Sequence, residues 1–373
     1  MLEKGKISPR QTGQLVFISI HATIILFVPA ITATAAGHDA WLSTFTGSLF
    51  GLVTLAIVSW LSVKHPGQNL FQYSETVFGK YIGKLIGLAY VWLFLHMVAI
   101  IVREFGDFMT TSFMPNTPLS VFNFSLLVLC AWAVIAGLEA IARMNEFIII
   151  LVVSFLLLII TLSIGRWDLG LLLPFYSRGI MPILEGAQAP AAWHGEVVWL
   201  AVIIPFMTRP GRAFLAGAGG IIGSAILLTT GVVAALAVLG PELVSSFRFP
   251  FHLFTRTINI GDLLTRFEPV VMTTWVAGVF LKTSIFYYCA SLGLAQVLGL
   301  SEYRLVVLPL GVMAGTLSIL LFPDVTVLSQ FLGEIWPRYS ISIYFLGLPS
   351  LFLAVTLIRE KIFGTKFGGT KRD

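Results

Sequence analysis

The chain has 373 residues, of which 57% are apolar and only 11% charged, and it carries a net charge of +5. Soluble globular domains carry about 25% charged residues, so this composition excludes a water-soluble fold. The two cysteines both lie within apolar runs, which excludes a disulfide-stapled chain. Several apolar runs exceed the roughly 18 residues that span a bilayer. The composition therefore predicts an all-α, polytopic membrane protein.

Hydropathy divides the chain into ten predicted transmembrane spans within one membrane domain, residues 1–373. Each span should be helical, because backbone polar groups in lipid must be satisfied within the segment. In chain order, spans 1 to 10 are residues 12–35, 41–63, 83–111, 119–138, 145–164, 193–208, 213–240, 268–298, 303–322 and 338–358.

An even number of spans places both chain ends on one side of the membrane. Lys and Arg are concentrated in the N-terminus, in the loops after even-numbered spans and in the basic tail, residues 359–373. The positive-inside bias therefore predicts an integral cell-membrane protein with both termini cytoplasmic. Two long connections are predicted on the outer face: residues 165–192 as an ordered loop, and residues 241–267 with a short helix around residues 252–258.

Spans 6 to 10 follow spans 1 to 5 at a nearly constant separation, which indicates duplicated halves, residues 12–164 and 193–358. Because each half has five spans, the second half must insert upside down. Such 5+5 inverted repeats are typical of secondary transporters, in which interrupted helices hold the ligand near the midplane.

The first helix of each half has the features of an interrupted helix. In span 1, His21 and Thr23 precede Pro29, and in span 6 Glu196 precedes Pro205. Proline removes one intrahelical hydrogen bond, so the sequence predicts helix breaks in both spans.

Several segments resemble one known family, the spore-germination permeases, which are the B subunits of the germinant receptors of endospore-forming bacteria. The similar segments are ISPRQ at 7–11, LFVP at 26–29, LPF at 173–175, GIMPILEG at 179–186, HGE at 194–196 and IPF at 204–206. The resemblance implies the amino acid, polyamine and organocation superfamily and a leucine-transporter-type fold with broken helices 1 and 6. One departure is that this chain reads Ala22-Thr23-Ile24 where many superfamily members carry glycines for backbone capture of a carboxylate.

The resemblance also implies a function and partners. A B subunit is thought to bind a small nutrient germinant, such as an amino acid, and to act with an A subunit and a lipoprotein C subunit in the spore inner membrane. Two alternatives stay open: a proton-coupled amino-acid transporter of the same superfamily, and a structural membrane platform without a ligand.

Lys282 lies near the middle of span 8, where a charged side chain costs about 2.5 to 3.5 kcal/mol on insertion scales. No carboxylate lies three or four residues away on the same helix, so its partner must come from another helix. In the resembling fold, spans 1 and 8 meet where sodium-coupled relatives hold an ion. One hypothesis is that the Lys282 ammonium replaces this ion; the alternatives are a structural salt bridge and a snorkelling lysine.

Span 3 carries a polar cluster toward its outer end. Arg103 and Asp107 are four residues apart and can pair on one helix face, which leaves Glu104 without an obvious partner; His96 lies further back in the span. The cluster either neutralises itself near the interface, or forms a polar wall of the ligand vestibule or a water and proton path. Glu104 and His96 are the candidate ligand-binding residues.

The other candidate residues lie in spans 1, 6 and 8. Glu196 and Trp199 are three residues apart and can together hold a ligand ammonium, although tryptophan is also typical of interfacial belts. Hydroxyl groups in span 8 either line the same cavity or pack between helices. The remaining candidates are His21, Thr23, Ser284 and Tyr287.

Motifs for catalysis are missing from the sequence. It has no phosphate-binding loop, no dinucleotide fingerprint and no histidine or cysteine pair at metal-ligand spacing. The sequence therefore predicts a protein that is not an enzyme, with no cofactor, metal or nucleic-acid partner.

Overall fold

The computed structural model describes residues 3, 5–258 and 268–363, which form a helical bundle. The helices are α1 (Pro9–Ala36), α2 (Ala40–Ser48), α3 (Phe50–Lys64), α4 (Leu70–Phe78), α5 (Lys80–Ser112), α6 (Leu119–Ala136), α7 (Leu138–Ser163), α8 (Ile180–Gly186), α9 (Gln188–Gly195), α10 (Leu200–Ile203), α11 (Ala213–Ser246), α12 (Pro250–Arg256), α13 (Glu268–Leu298), α14 (Val307–Leu320), α15 (Val325–Gln330), α16 (Trp336–Ser340) and α17 (Gly347–Phe363).

The described residues contain nine helical stretches that are long and apolar enough to cross a membrane. The first of them, Pro9–Lys64, folds back on itself and crosses twice. Gly13 near its start lies against Ala216, and Leu55 near its end lies against the adjacent Gly217. The described residues therefore provide ten crossings, as the sequence predicts.

Helix α1 runs without interruption through Pro29, so the predicted break in span 1 is wrong. Its start is fixed by a capping box in which Ser8 and Gln11 bond to each other's backbone N–H groups. Pro29 removes one hydrogen bond, and no glycine that would favour unwinding lies between Gly13 and Gly37. The loss of one hydrogen bond is therefore tolerated within a helix whose remaining residues keep helical geometry.

Span 6 begins earlier than predicted, because α8 and α9 occupy most of the second half of the predicted loop 165–192. Pro182 and Pro190 are the third residues of α8 and α9, in the first turn, where backbone N–H groups lack intrahelical partners anyway. These prolines therefore start helices instead of excluding them.

The predicted interruption of helix 6 is confirmed in the form of two 3₁₀ turns. The chain passes from α9 into a 3₁₀ turn at Glu196–Trp199, then through α10 into a second one at Ile204–Phe206, which contains Pro205. The first turn lies deep in the bundle and the second near its end.

Span 10 is a composite that begins at Val325, earlier than predicted. Asp324 caps α15 by accepting from the backbone N–H groups of Thr326 and Val327. The bonds from Val327 and Thr326 hold the pKa of this exposed carboxyl below its ordinary value. Two π-helical turns, Phe331–Ile335 and Ile341–Phe345, flank α16. Such turns are rare and are frequently found at functional sites.

Smaller differences concern the connections. Helix α4 was not predicted, α12 confirms the short helix expected in the connection 241–267, and α11 continues to Ser246 across a kink at Gly240 (φ 78°). Residues 259–267 of this connection and residues 364–373 of the predicted tail lie outside the described residues.

Equivalent helices of the two halves pack against each other. Span 2 contacts span 7, span 3 contacts span 8, and span 4 contacts span 9. This pairwise packing is the arrangement expected of two inverted halves.

The N-terminal segment and the end of span 10 lie at the same end of the bundle. Ile7 forms a parallel backbone bridge with Met207, just beyond helix 6. Lys64 at the end of α3 lies 2.9 Å from Glu360 in α17, and Ser62 shares a pocket with Pro205. This end corresponds to the face predicted to be cytoplasmic.

Candidate ligand site

A buried ion pair joins span 8 to the interrupted helix 6. The Lys282 ammonium lies 2.7 Å from Oε2 of Glu196, and both side chains are almost completely buried. Glu196 is the first residue of the 3₁₀ turn, and Lys282 lies midway along α13. The pair therefore sits at the centre of the bundle, and it supplies the interhelical partner that the sequence requires for Lys282.

The Thr23 hydroxyl of α1 completes this contact. Its oxygen accepts hydrogen bonds from Lys282 Nζ at 2.9 Å and from the Trp193 indole Nε1 at 2.9 Å. One hydroxyl proton is left to donate. The carboxylate of Glu104 in α5 lies beside this hydroxyl as a hydrogen-bonding neighbour. Thr23 thus connects α1, α9 and α13, with α5 adjacent.

A small cavity adjoins the ion pair. Its volume is about 10 Å³, roughly the minimum that holds one water molecule. The second carboxylate oxygen of Glu104, Oε2, is buried and has no hydrogen-bond partner within the described part of the chain. The cavity is lined by Met97, Ile100, Ile101, Glu104, Trp193, Glu196, Lys282, Leu332 and Trp336.

Two candidate residues of spans 1 and 6 lie outside this cavity. His21 stacks on Phe17, and its Nδ1 lies 3.3 Å from the Ser224 hydroxyl of α11. The Trp199 indole donates to Ser19 at 3.1 Å and so fastens the 3₁₀ turn to α1. Both residues pack helix against helix.

Candidates in spans 3 and 8 also face other contacts. His96 stacks on Trp92 and meets Trp336 edge-on, so it belongs to an aromatic cluster next to the cavity. The Ser284 hydroxyl donates to the Phe280 carbonyl of its own helix, and the Tyr287 hydroxyl donates to the Val307 carbonyl of span 9. The two hydroxyls therefore serve helix packing and do not line the cavity.

Arg103 and Asp107 form the predicted pair, with Nε and Oδ2 2.8 Å apart. The guanidinium also donates to the carbonyls of Ser318 and Phe322, at and beyond the end of α14. Arginine at this position satisfies orphan carbonyls and opposes the negative end of the helix dipole. The pair therefore neutralises itself and anchors span 9, whereas Glu104 points to the cavity.

Sequence reasoning missed the aromatic and apolar part of the site. Trp193 was not a candidate because it lies at the edge of the predicted loop, and Trp336 because span 10 was placed too late. The sequence feature that could have identified Trp193 is the presence of tryptophan next to the polar residues of helix 6. Tryptophan N–H groups buried in apolar surroundings need an acceptor, and Thr23 is one.

Chemically, the site offers one ammonium, two carboxylates and indole rings. A zwitterion has complementary groups: its carboxylate can meet Lys282, and its ammonium can meet Glu104. In the described residues no group of three or more His, Cys, Asp or Glu side chains is arranged to hold a metal ion.

Comparison with known sequences gives consistent matches. Residues 6–323 match the family described as "Spore germination protein". The chain is similar to spore germination protein YndE of Bacillus subtilis (strain 168), with 26% identity over 371 residues, covering 96% of this chain and 98% of the relative. It is also similar to spore germination protein KB of the same strain, with 25% identity over 367 residues, covering 96% of each chain.

Comparison with solved structures shows the fold. Mhp1, a nucleobase-cation-symport-1 family transporter in a closed conformation with bromovinylhydantoin bound, superposes with a TM-score of 0.74 at 14% identity, covering 96% of this chain and 80% of that one. MhsT in complex with L-phenylalanine superposes with a TM-score of 0.59 at 13% sequence identity, covering 98% of this chain and 95% of that one. The architecture is therefore the leucine-transporter type, as the sequence predicts.

Proposed function

The chain belongs to the spore germination protein family, and from this premise we propose that it is the ligand-sensing B subunit of a spore germinant receptor. It is a non-catalytic protein of the spore inner membrane, with both termini in the cytoplasm and with A and C subunits as partners. A small nutrient binds at the central cavity and shifts the population of two conformers, and the partner subunits respond to that shift.

The observation that carries this proposal is the buried pair of Lys282 and Glu196, held on Thr23 at the crossing of three core helices. Buried charges of this kind in membrane proteins mark ligand and ion sites by default. Structures of the same fold hold a hydantoin and L-phenylalanine. A small zwitterion such as an amino acid matches the charges here.

The closed centre specifies how the ligand must bind. A cavity of about 10 Å³ cannot contain an amino acid. The ligand therefore enters a conformer in which the ion pair has opened and span 10 has moved away from α5. Binding and conformational change are then one event, as a sensor requires.

In this proposal the protein binds its ligand without sodium, because Lys282 supplies the positive charge. Its ammonium bridges α13 and α1 through the Thr23 hydroxyl, at the junction where the resemblance implies an ion in sodium-coupled relatives. A covalently attached positive charge makes that ion unnecessary. Ligand-induced thermal stabilisation should thus be equal in sodium and potassium buffers.

The function is tested by thermal-shift screening of the purified chain in lipid nanodiscs against amino acids and sugars. A saturable stabilisation by one compound, matched by the germinant response of spores, is the expected result. If none of these compounds stabilises the folded chain, the sensor proposal is refuted and the structural membrane platform without a ligand takes its place.

A second candidate function is proton-coupled transport, which is favoured by the unpartnered Glu104 carboxylate oxygen in the cavity. Uptake of the stabilising ligand into proteoliposomes discriminates the two. Accumulation driven by a pH gradient would establish transport, whereas saturable binding without uptake would establish a sensor.

A further inference from the structure

A polar stripe runs along the outer surface of span 10. Its members are four residues apart, which places them on one helix face, and all four side chains are exposed: Gln330, Glu334, Arg338 and Ser342. Neither Glu334 nor Arg338 makes a hydrogen bond or an ion pair within the described ranges, although they are spaced to pair with each other. Polar side chains thus interrupt an otherwise apolar surface.

The stripe points away from the protein core. Leu332 and Trp336 line the central cavity, and Glu334 lies halfway between them along the helix. A residue two positions away is rotated by roughly half a turn in α- and π-helical geometry alike, so Glu334 and Arg338 occupy the opposite face.

The charged pair lies at the level of the central ion pair. Lys282, which lines the same cavity as Trp336, is midway along α13, and Thr23 is midway along α1. Each residue of an α-helix rises about 1.5 Å, so Glu334 and Arg338 are each about 3 Å from the level of Trp336. An acid and a base facing hydrocarbon at this depth are costly unless something covers them.

We infer that the stripe formed by Gln330, Glu334, Arg338 and Ser342 is the docking face for a transmembrane helix of a partner protein that carries a base opposite Glu334 and an acid opposite Arg338. Interhelical hydrogen bonds of this kind hold helices together in membranes. This inference rests on the proposed function only in that a receptor subunit needs partners; the site of contact comes from the stripe.

A second copy of this chain fits the stripe less well. Two copies related by an axis along the membrane normal bring like charges to the same depth, Glu334 facing its equivalent and Arg338 facing its equivalent. Opposite charges would be offset by about 6 Å along the axis. A different helix can place opposite charges level with each other.

Photocrosslinking in spore membranes that contain the full complement of native proteins tests the inference. Ile335→p-benzoylphenylalanine places the probe beside the stripe without removing it, and Leu151→p-benzoylphenylalanine on α7 is the control, since both side chains are well exposed. Mass spectrometry should map the Ile335 adduct to a membrane-spanning segment of another protein with a base and an acid one turn apart, and the Leu151 adduct to lipid. Adducts only to lipid, or to a second copy of this chain, would overturn the inference.

A charge exchange adds a second arm. Glu334→Arg with Arg338→Glu keeps the polarity but reverses the order, and should lower the Ile335 crosslink at least tenfold. The matched control is Glu302→Arg with Arg304→Glu, an exposed pair with 2.7 Å between the charged groups, which should leave it unchanged. An undiminished crosslink after the stripe exchange would refute charge matching.

The two proposals can fail separately. Ligand stabilisation of the chain should persist in the stripe exchange, because the cavity lies on the other face of span 10. Absence of ligand stabilisation in the wild type would refute the sensor proposal. The crosslinking result alone would still decide whether the stripe is a docking face.

Discussion

The Thr23 hydroxyl is a small group, yet contacts from α9 and α13 converge on it in α1. It accepts from Trp193 and Lys282 and retains a proton to donate toward Glu104. Removal of one such partner leaves buried polar groups unpaired, which costs more than the bond itself contributes. The residues of this site should therefore respond to mutation as a unit.

We expect Lys282→Met to destabilise the protein by about 3–5 kcal/mol, because it leaves the Glu196 carboxylate buried without its charge partner. Thermal unfolding of the purified chain in nanodiscs measures this loss. The germinant response should disappear as well.

The double variant Lys282→Met with Glu196→Gln separates the two losses. It removes both charges, so most of the stability should return while the response stays absent. Recovery of the response would show that the ion pair is structural only.

Glu104→Gln should weaken ligand binding, because it removes the negative charge that meets a ligand ammonium. The variant should bind about ten- to hundredfold more weakly, as expected for loss of a charged hydrogen bond. Calorimetric titration of both proteins measures this loss.

The control for this prediction is Glu139→Gln, an exposed carboxylate paired with Arg143 at the start of α7. It should behave as the wild type. An undiminished affinity in Glu104→Gln would contradict the assignment of Glu104.

At this scale the sequence predicts residue types better than contacts. Lysine or glutamate in an apolar span must have a partner, which is why Lys282, Glu196 and Glu104 were candidates. Which residues meet depends on helix rotation and long-range packing: Thr23 and Lys282 are 259 positions apart. His21, Trp199, Ser284 and Tyr287 are equally polar, yet they face other helices.

At the level of elements, the 3₁₀ turn of helix 6 is held against span 10 by a close approach. A Cβ atom on Gly195 would lie 2.6 Å from the ring of Phe345, which belongs to the second π turn. The absence of a side chain at Gly195 thus allows the interrupted part of helix 6 to contact the irregular part of span 10.

Gly195→Ala should destabilise the protein by about 1–3 kcal/mol through overpacking, and should weaken ligand binding because span 10 is displaced. The matched control is Gly219→Ala in α11, where a Cβ meets nothing within 4 Å. That change should stabilise by about 0.5–1 kcal/mol, since alanine favours helix. Equal effects of the two changes would contradict this account of the contact.

The bounds of a helix can be predicted where the length of its apolar run sets them, and less well where a proline sets them. The bounds of span 8 coincide with α13, and spans 3 and 4 lie within two to three residues of α5 and α6. The sequence predicts a break at Pro29, yet α1 continues through it. It also predicts a loop at Pro182 and Pro190, which lie in the first turns of helices. The effect of a proline depends on its distance from the helix start, which hydropathy does not reveal.

Across the whole molecule, the N-terminal segment closes one end of the bundle. Backbone bonds connect Ile7 to Phe206 and Thr208, and the Lys6 ammonium donates to the Pro205 carbonyl at 3.0 Å. These bonds attach the segment before α1 directly to the last turn of helix 6. The closed centre and this closed end belong to the same conformer.

The double variant Ile7→Cys with Met207→Cys should lock this end, because bridged residues are close enough for a disulfide. After oxidation, germination should fall to a few per cent of the wild-type response and return on reduction. Each single variant serves as the control. A full response from the oxidised protein would show that this end need not separate.

The number of crossings and the bundle class follow from composition, because lipid allows few alternatives for an apolar chain. The polar stripe on span 10 and the size of the cavity do not follow from it, because they depend on which helix faces the packing leaves uncovered.

The 3₁₀ turn at Glu196–Trp199 implies a mechanical coupling. A 3₁₀ helix advances about 2.0 Å and rotates about 120° per residue, against about 1.5 Å and 100° in an α-helix. Rewinding these four residues would shorten helix 6 by about 2 Å and twist everything beyond it by about 80°. A solute that displaces Glu196 from Lys282 would thus shift and rotate the far end of helix 6, which is bonded to the N-terminal segment.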